Sequence, residues 1–354
     1  MSLWVVVGGQ YGGEGKGKIS AFITQREGID VCIRCGGPNS GHSFVVDDGR
    51  TVLLRQLPTG YIRPQTRLLI PAGALINLEV LKYEIDSLGL DAWRVGVDRN
   101  AMIIEEGDQQ RESQLQLRER LSSTLCGVGS AVARRAMRGA DVRLAAQFAR
   151  EVPWLADLIT DVSEEANAAL DRGKKVLVEG TQGFGLSLYH SESYPKATSR
   201  DTTASVFLSE VGLSPRLVTE VVVVFRTFPI RVAGEQAGPL RDEITWEILR
   251  AESGCPNPVE EMTTVSKKVR RVGRFDWDLA KRAATMNRPS RIAVNGLDYL
   301  DYNNRGILSV EQLTPSGRDF LGRIERELGT SVGFWGTGPR IENCSSEHQM
   351  LQIA

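Results

Sequence analysis

The run Gly8-Gly9-Gln10-Tyr11-Gly12-Gly13-Glu14-Gly15-Lys16-Gly17-Lys18 holds the densest chemistry in the chain. Its glycines let backbone N–H groups turn toward an anion, and its lysines add full positive charge. A short apolar stretch, Leu3 to Val7, leads into it and a helix-period segment follows, so the run reads as a phosphate-binding turn rather than a flexible glycine loop. From Gly12 the spacing fits a nucleotide-triphosphate loop as far as Gly17-Lys18, but Ile19 stands where a magnesium-holding hydroxyl is required. The dinucleotide pattern G-x-G-x-x-G is not met either.

Further clusters follow. Gly36-Gly37-Pro38-Asn39-Ser40-Gly41-His42-Ser43 sets one of the chain's three histidines in a glycine-rich loop after a strand, as an acid, a charge stabiliser or a turn residue. Glu179-Gly180-Thr181-Gln182-Gly183 ends a strand, where parallel sheets bind ligands. Thr198-Ser199-Arg200-Asp201-Thr202-Thr203 suits phosphate oxygens or, at Thr202 and Thr203, helix capping. Thr263-Thr264-Val265-Ser266-Lys267-Lys268-Val269-Arg270-Arg271 places cations beside hydroxyls, a match for a small dicarboxylate or a triphosphate. Asn295-Gly296-Leu297-Asp298 follows a strand, where GTP-binding proteins place an Asp that reads a guanine edge. Cys32-Ile33-Arg34-Cys35 has metal-pair spacing but lies within a strand and lacks a second pair, so it reads as structural.

The elements that must hold these clusters alternate. Strands are expected at Leu3–Val7, Val31–Arg34, Leu68–Ile70, Lys175–Val178, Val218–Phe225 and Arg291–Val294. Helices are expected at Gly17–Gln25, Leu78–Leu88, Trp154–Arg172, Leu240–Arg250, Asp276–Met286 and Pro315–Leu328. Apolar strands separated by amphipathic helices predict an α/β fold, a largely parallel sheet covered on both faces. A single domain spanning 1–354 is expected, with a polar helical excursion over about 105–172 serving as a solvated face, a lid or a subunit contact.

The chain's 354 residues carry 43 Lys and Arg against 44 Asp and Glu, a net charge of -1. That balance gives no overall attraction to nucleic acid or anionic membrane, so an anion must be held locally. No apolar run approaches a membrane span. Five scattered cysteines point to a reduced, cytoplasmic protein rather than a disulfide framework.

In this order, the clusters resemble the adenylosuccinate synthetase family. Its signature G-x-Q-[WY]-G-D-E-G-K-G-K corresponds to Gln10 to Lys18, N-x-G-H-[ST] to Asn39 to Ser43, and E-G-x-Q-G to Glu179 to Gly183. The T-[ST]-x-x-T-T run corresponds to Thr198 to Thr203, the basic loop to Thr264 to Arg271, x-L-D to Leu297-Asp298, and T-G-P to Thr337-Gly338-Pro339. The resemblance implies a P-loop-like fold and a ligase in which an NTP phosphorylates O6 of a purine monophosphate before L-aspartate displaces the phosphate. Under it, His42, Gln182 and Lys16 are catalytic, with His42 facing the transferring phosphoryl and Gln182 orienting O6. Gly13, Asn39, Ser123, Thr124, Gln182, Thr198 and, from a neighbouring subunit of a homodimer, Arg138 hold the purine monophosphate. Gly15, Lys16, Gly17, Lys18, Arg270, Asn295, Gly296, Leu297, Asp298, Gly336, Thr337 and Gly338 line the NTP site. Thr264, Val265, Ser266 and Lys268 bind aspartate, and the carbonyl of Gly41 holds magnesium, with the backbone of Gly13 as a second candidate ligand.

One departure stands out: the family's catalytic Asp, base at purine N1 and magnesium ligand, is Gly13 here. An inactive relative, a base displaced to Glu14 or water, and a different purine are the competing readings. A carboxylate at N1 would crowd a 2-amino group on C2, and its loss opens that space. This is the pattern of the viral 2-aminoadenylosuccinate synthetase branch, acting on dGMP in the host cytoplasm. Gly296 replaces the guanine-reading Lys and Lys268 replaces an Arg of the aspartate loop, so ATP or dATP is the expected donor.

Overall fold

The computed structural model describes residues 2–46, 48–263 and 268–346. A ten-stranded sheet organises them. In chain order its strands are β1 (Ser2–Gly8), β2 (Val31–Arg34), β3 (Arg67–Ile70), β4 (Val95–Asp98), β5 (Ile159–Thr160), β6 (Lys175–Glu179), β7 (Glu220–Arg226), β8 (Arg291–Asn295), β9 (Val332–Gly336) and β10 (Cys344–Ser346). They lie in the order β10-β9-β8-β7-β1-β6-β2-β3-β4-β5. Only the β9–β10 pair is antiparallel.

Both faces are covered, as the unbroken apolar strands require. Along β1, Leu3, Val5 and Val7 enter one core with Phe207, Ile292 and Ile324. Trp4 and Val6 enter the other with Ile19, Ile23 and Phe334. Helix α1 (Lys16–Glu27) closes this second face and is bounded by Gly15 and Gly28, both left-handed. The polar segment after residue 105 forms helices Glu106–Gln114, Leu117–Leu121, Val128–Met137 and Ala145–Phe148. They include Val128 and Ala131, which pack on a small core of their own with Leu75, Met102 and Ile104.

Several expectations need correction. The helix expected over Trp154–Arg172 is split, because Ile159 and Thr160 pair with β4 and Asp161 caps a new helix, Val162–Asp171, by accepting from the N–H of Glu164 at 2.9 Å. The helix expected from Leu240 begins at Trp246, since Glu243–Ile244 joins a small sheet with Arg271–Gly273 and Thr245 provides the cap. His42 opens a hairpin strand, His42–Val45 against Thr51–Leu54, rather than lying in a loop. Thr203 occupies the cap position of Ala204–Val211, but its hydroxyl donates to Asp201 at 2.5 Å, and the Ala204 N–H is met by Asn287 instead. Cys32 and Cys35 are buried core residues, as expected. No helix among the described residues is long and apolar enough to cross a membrane.

Candidate active site

The chain leaves β1 toward β2 on one side and later takes up β7 on the other, so strand order reverses at β1. Crevices at such reversals, beyond the carboxyl ends of the strands, are where these sheets bind ligands. Here β1 ends in the glycine-rich loop, β2 leads to Gly36–Gly41, β6 ends in Glu179, β7 in Arg226 and β8 in Asn295.

The loop is held by its own acid. Buried Glu14 accepts from the N–H groups of Gln10 at 2.9 Å and Gly12 at 2.8 Å through one oxygen, and pairs with Lys16 Nζ at 2.7 Å through the other. Glu14 is thus committed to the loop, and the idea of it as a displaced base finds no free oxygen. Gly15 sits at φ +86°, a conformation that L side chains rarely adopt, and its carbonyl starts the α1 hydrogen-bond series by accepting from Ile19. Lys18 crosses to the far side of the site and donates to the carbonyl of Gly338 at 2.6 Å.

Two cavities open on this loop. One, of about 480 Å³, is lined by Gly13 to Lys18, His42, Arg226, Asn295, Gly296, Asp298 and Gly338. The other, of about 570 Å³, is lined by Asn39, Ser123, Thr124, Gln182, Thr198, Arg231 and Lys268. Gly12, Gly41 and Arg270 border both. A group carried by a ligand in the first cavity could therefore meet a ligand in the second across a narrow seam.

His42 stands in the first cavity wall. Its Nδ1 contacts Glu179 Oε1, the carboxylate that also takes Arg34 Nη1 at 2.7 Å. The other Glu179 oxygen accepts the N–H of Thr59 at 2.9 Å and its hydroxyl at 2.6 Å. His42 Nε2 is buried and has no hydrogen-bond partner among the described residues. Burial, joined by the charge of Arg34, pushes the imidazole down to about 4. Burial opposes ionisation of Glu179, but His42, Arg34 and Thr59 outweigh it and hold the carboxyl at about 2. Arg34 and Thr59 alone justify an ionised Glu179, so at neutral pH a carboxylate faces a neutral imidazole.

At position 13 the structure modifies the sequence reading. A Cβ on Gly13 would lie 2.5 Å from Ile230 Cγ1 and 2.6 Å from Cδ1, so the space left by the missing carboxylate is filled by an apolar side chain. Gly13 borders the first cavity and not the second. Its carbonyl accepts from Arg226 Nη1 at 3.0 Å, so it does not fit a magnesium ion. Arg226 also pairs with Glu261 at 2.6 Å, and Tyr299 donates to the same carboxylate at 3.0 Å. Burial works against it, yet Arg226 keeps the Glu261 carboxyl below its ordinary value. The described residues contain no cluster of three acids, histidines or cysteines able to hold a metal. Magnesium commonly keeps waters and nucleotide phosphates with only one or two protein ligands. Gly41, which borders both cavities, is placed to be one such ligand.

Other sequence-chosen residues are less direct. Leu297 is buried in the core and lines neither cavity. Thr337 is buried, donating to the carbonyl of Ile307 at 3.0 Å. Gly336 also borders neither cavity; a Cβ there would strike Asn295 Oδ1 at 2.4 Å and Lys18 Nζ at 2.6 Å, so it serves by making room for them. Arg138 is exposed at the end of helix Val128–Met137 and borders neither cavity of its own chain. Thr264, Val265 and Ser266 lie outside the described residues. Sequence reasoning missed Arg34, Arg226, Ile230 and Glu261. A charged residue ending a buried strand, as at Arg34 and Arg226, was the available signal.

Fold and cavities together define a nucleotide-binding α/β enzyme whose two ligand sites meet at one seam. The family model for adenylosuccinate synthetase matches residues 5–152 and 142–307. The chain belongs to the adenylosuccinate synthetase family, and with it to the ligases that form C–N bonds. It is 40% identical to the adenylosuccinate synthetase of Thermococcus onnurineus, over 99% of this chain and 100% of that one. It is also 40% identical to that of Methanococcus aeolicus, over the whole of both. Among solved structures it is similar to the succinoaminodeoxyadenylate synthetase (PurZ) of cyanophage S-2L bound to dGMP and dATP as an energy donor, with TM-score 0.82, 28% identity and coverage of 98% of this chain and 95% of that one. The fold also matches fully ligated adenylosuccinate synthetase from Plasmodium falciparum, with TM-score 0.85, 22% identity and coverage of 98% and 100%.

Proposed function

We propose that this ligase joins dGMP to L-aspartate, with ATP or dATP as phosphoryl donor, to give N6-succino-2-amino-2′-deoxyadenylate. The observation that carries the reading is position 13, next to Gly12 at the seam of the two cavities, where a loop that otherwise keeps the family's signature has Gly13 and the side chain of Ile230 in place of a carboxylate. Hypoxanthine must lose its N1 proton as O6 attacks phosphorus, and a carboxylate there would take it. Guanine must lose the same proton, which with no carboxylate at position 13 would pass to a water, while its 2-amino group feeds electron density into the ring and makes O6 a better nucleophile. The distinction is then the loss of a charge rather than the opening of a hole. The cyanophage enzyme holding dGMP and dATP supports the same choice.

In this reading the triphosphate occupies the first cavity and dGMP the second. His42 Nε2 faces the γ-phosphoryl as it crosses, and Lys16 with the loop N–H groups balances its charge. Gln182 holds O6, while Asn39, Ser123, Thr124 and Thr198 hold the monophosphate. Lys268 and the neighbouring loop hold aspartate, whose amine attacks C6 and expels phosphate. The Gly41 carbonyl and the nucleotide phosphates would hold magnesium, which would supply charge neutralisation there. Two copies form the working unit, each lending Arg138 to its partner, in a cytoplasm that keeps the cysteines reduced.

The 40% identity to archaeal adenylosuccinate synthetases favours a second reading, the ordinary reaction on IMP with GTP. Product formation from aspartate and ATP with dGMP or with IMP separates the two. Preference for dGMP is expected; a clear preference for IMP overturns the proposal, and nucleotide binding without aspartate-dependent phosphate release would mark an inactive regulator.

A further inference from the structure

We infer that Glu179 is a positioning residue for His42, fixing the imidazole as the Nδ1–H tautomer and turning Nε2 toward the seam. This rests on the ligase reading in which His42 faces the transferring phosphoryl.

Two groups meet His42 Nδ1, the Glu179 carboxylate and the Arg34 guanidinium. Arg34 Nη1, which can only donate, also lies 2.5 Å from His42 Nδ1, but its proton is taken by Glu179 at 2.7 Å; the ionised carboxylate offers only lone pairs, so its own contact with Nδ1 calls for the proton on Nδ1. Nε2 then carries a lone pair toward the first cavity, or an N–H when a phosphate oxygen delivers or shares a proton. In solution neutral imidazole favours the opposite tautomer, so the protein has to enforce this one. Glu179 is itself immobilised: Arg34 takes one oxygen at 2.7 Å, and Thr59 takes the other through N–H at 2.9 Å and hydroxyl at 2.6 Å. Arg34 and Glu179 are 1% and 0% exposed, so neither contact is shared with solvent. A merely structural ion pair would need only Arg34 and Glu179. The addition of His42 on the same oxygen, with its far nitrogen at the cavity wall and without a partner among the described residues, is what assigns the carboxylate to the reaction. Carboxylates that orient an imidazole in this manner are a general device of proton-transfer sites.

The readouts are the His42 tautomer and the separation of kcat from KM. With three histidines in the chain, 15N spectra of the full-length protein can assign His42 by comparison with His42→Asn. The wild type should show Nδ1 protonated and Nε2 bare, a measurement that needs no variant at the carboxylate. In Glu179→Gln the amide can present an N–H to Nδ1, so the Nε2–H tautomer should appear. The kcat should then fall by about 10²–10⁴-fold, the range typical of a lost acid–base group, with the KM for the triphosphate nearly unchanged. Glu179→Asp, which keeps the charge at a shorter reach, should recover part of kcat and the original tautomer. An Nε2–H tautomer in the wild type overturns the inference. So does a Glu179→Gln enzyme with undiminished kcat, or with KM and kcat changed alike, while His42→Asn is inactive. If His42→Asn itself turns over normally, or no purine is turned over at all, the ligase reading falls first and takes this inference with it.

Discussion

Replacing Gly13 with Asp puts the reasoning about substrate choice under direct strain. The new Cβ would sit 2.5 and 2.6 Å from the Ile230 side chain, closer than real Cβ atoms approach, so Ile230 must move. Ile230 is 2% exposed and belongs to a small core with Phe228, Trp246, Leu249 and Val272, which limits where it can go. Overpacking of this kind costs about 1–3 kcal/mol. For a chain of this length, specific unfolding entropy converts that to a fall in Tm of roughly 1–4 °C. Arg270 Nη1, 3.9 Å from the same Cβ, offers the carboxylate partial compensation. Ile230→Ala removes both clashing atoms and alone costs about 2–5 kcal/mol as a cavity. In the double variant the penalties should be less than additive by about 1–3 kcal/mol. Calorimetry of the four proteins measures the coupling, and aspartate-dependent turnover measures the chemistry. Gly13→Asp should damage turnover of dGMP more than that of IMP, and the double variant should widen the shift toward IMP. Additive stabilities would show that Ile230 does not fill the place of a side chain at 13, and equal losses on both purines would refute the assignment of specificity to that place.

Gly17→Ala would set a Cβ 2.4 Å from His42 Cβ and 2.9 Å from Cγ, forcing helix α1 and His42 apart; steady-state kinetics should show kcat reduced about 10²-fold, as for a reacting group displaced by about 1 Å. Acid should destabilise the protein through His42: its folded value of about 4 lies below the ordinary 6.5, so the unfolded chain binds the extra proton and stability falls as pH drops through that window. Urea unfolding should record a loss of about 2 kcal/mol from this group between pH 7 and pH 5, absent in His42→Asn. Below about pH 4.5 the depressed Glu179 adds its own loss, in the same direction. Mixing inactive Arg138→Ala with inactive His42→Asn should restore about a quarter of wild-type activity through mixed dimers with one intact site, and no recovery after subunit exchange would rule out a shared site.

Much of this was legible in the chain. β2 has the bounds expected from its apolar run, and Pro315–Leu328 those expected from its cap, proline start and helical period. β4 and β9 were not foreseen, because Gly96 and Gly333 interrupt their apolar pattern; in space, a Cβ on Gly96 would press on Leu69 at 2.6 Å, so the glycine is what lets β3 and β4 pack. Gly15, Lys16, Lys18 and His42 announced themselves by local motif. Arg226 with Glu261, and Glu179 with His42, are joined only by the fold, and nothing in linear spacing pairs them. Leu297 shows the opposite failure: it sits within a motif, yet its side chain supports the element from beneath while Asp298 reaches the cavity.

The contact between Lys16 and Glu14 has a consequence for which ligands the loop will admit. With that ammonium already satisfied at 2.7 Å by a buried carboxylate, the turn presents less attraction to an anion than its lysine content implies. An incoming anion must pull the ammonium away, or share it, before it gains from it. A polyphosphate tail anchored on the amides at the start of α1 would bring a neighbouring phosphate to Lys16 and compete with Glu14 for it. The turn thus holds its lysine charge in reserve until an anion competes with Glu14 for it.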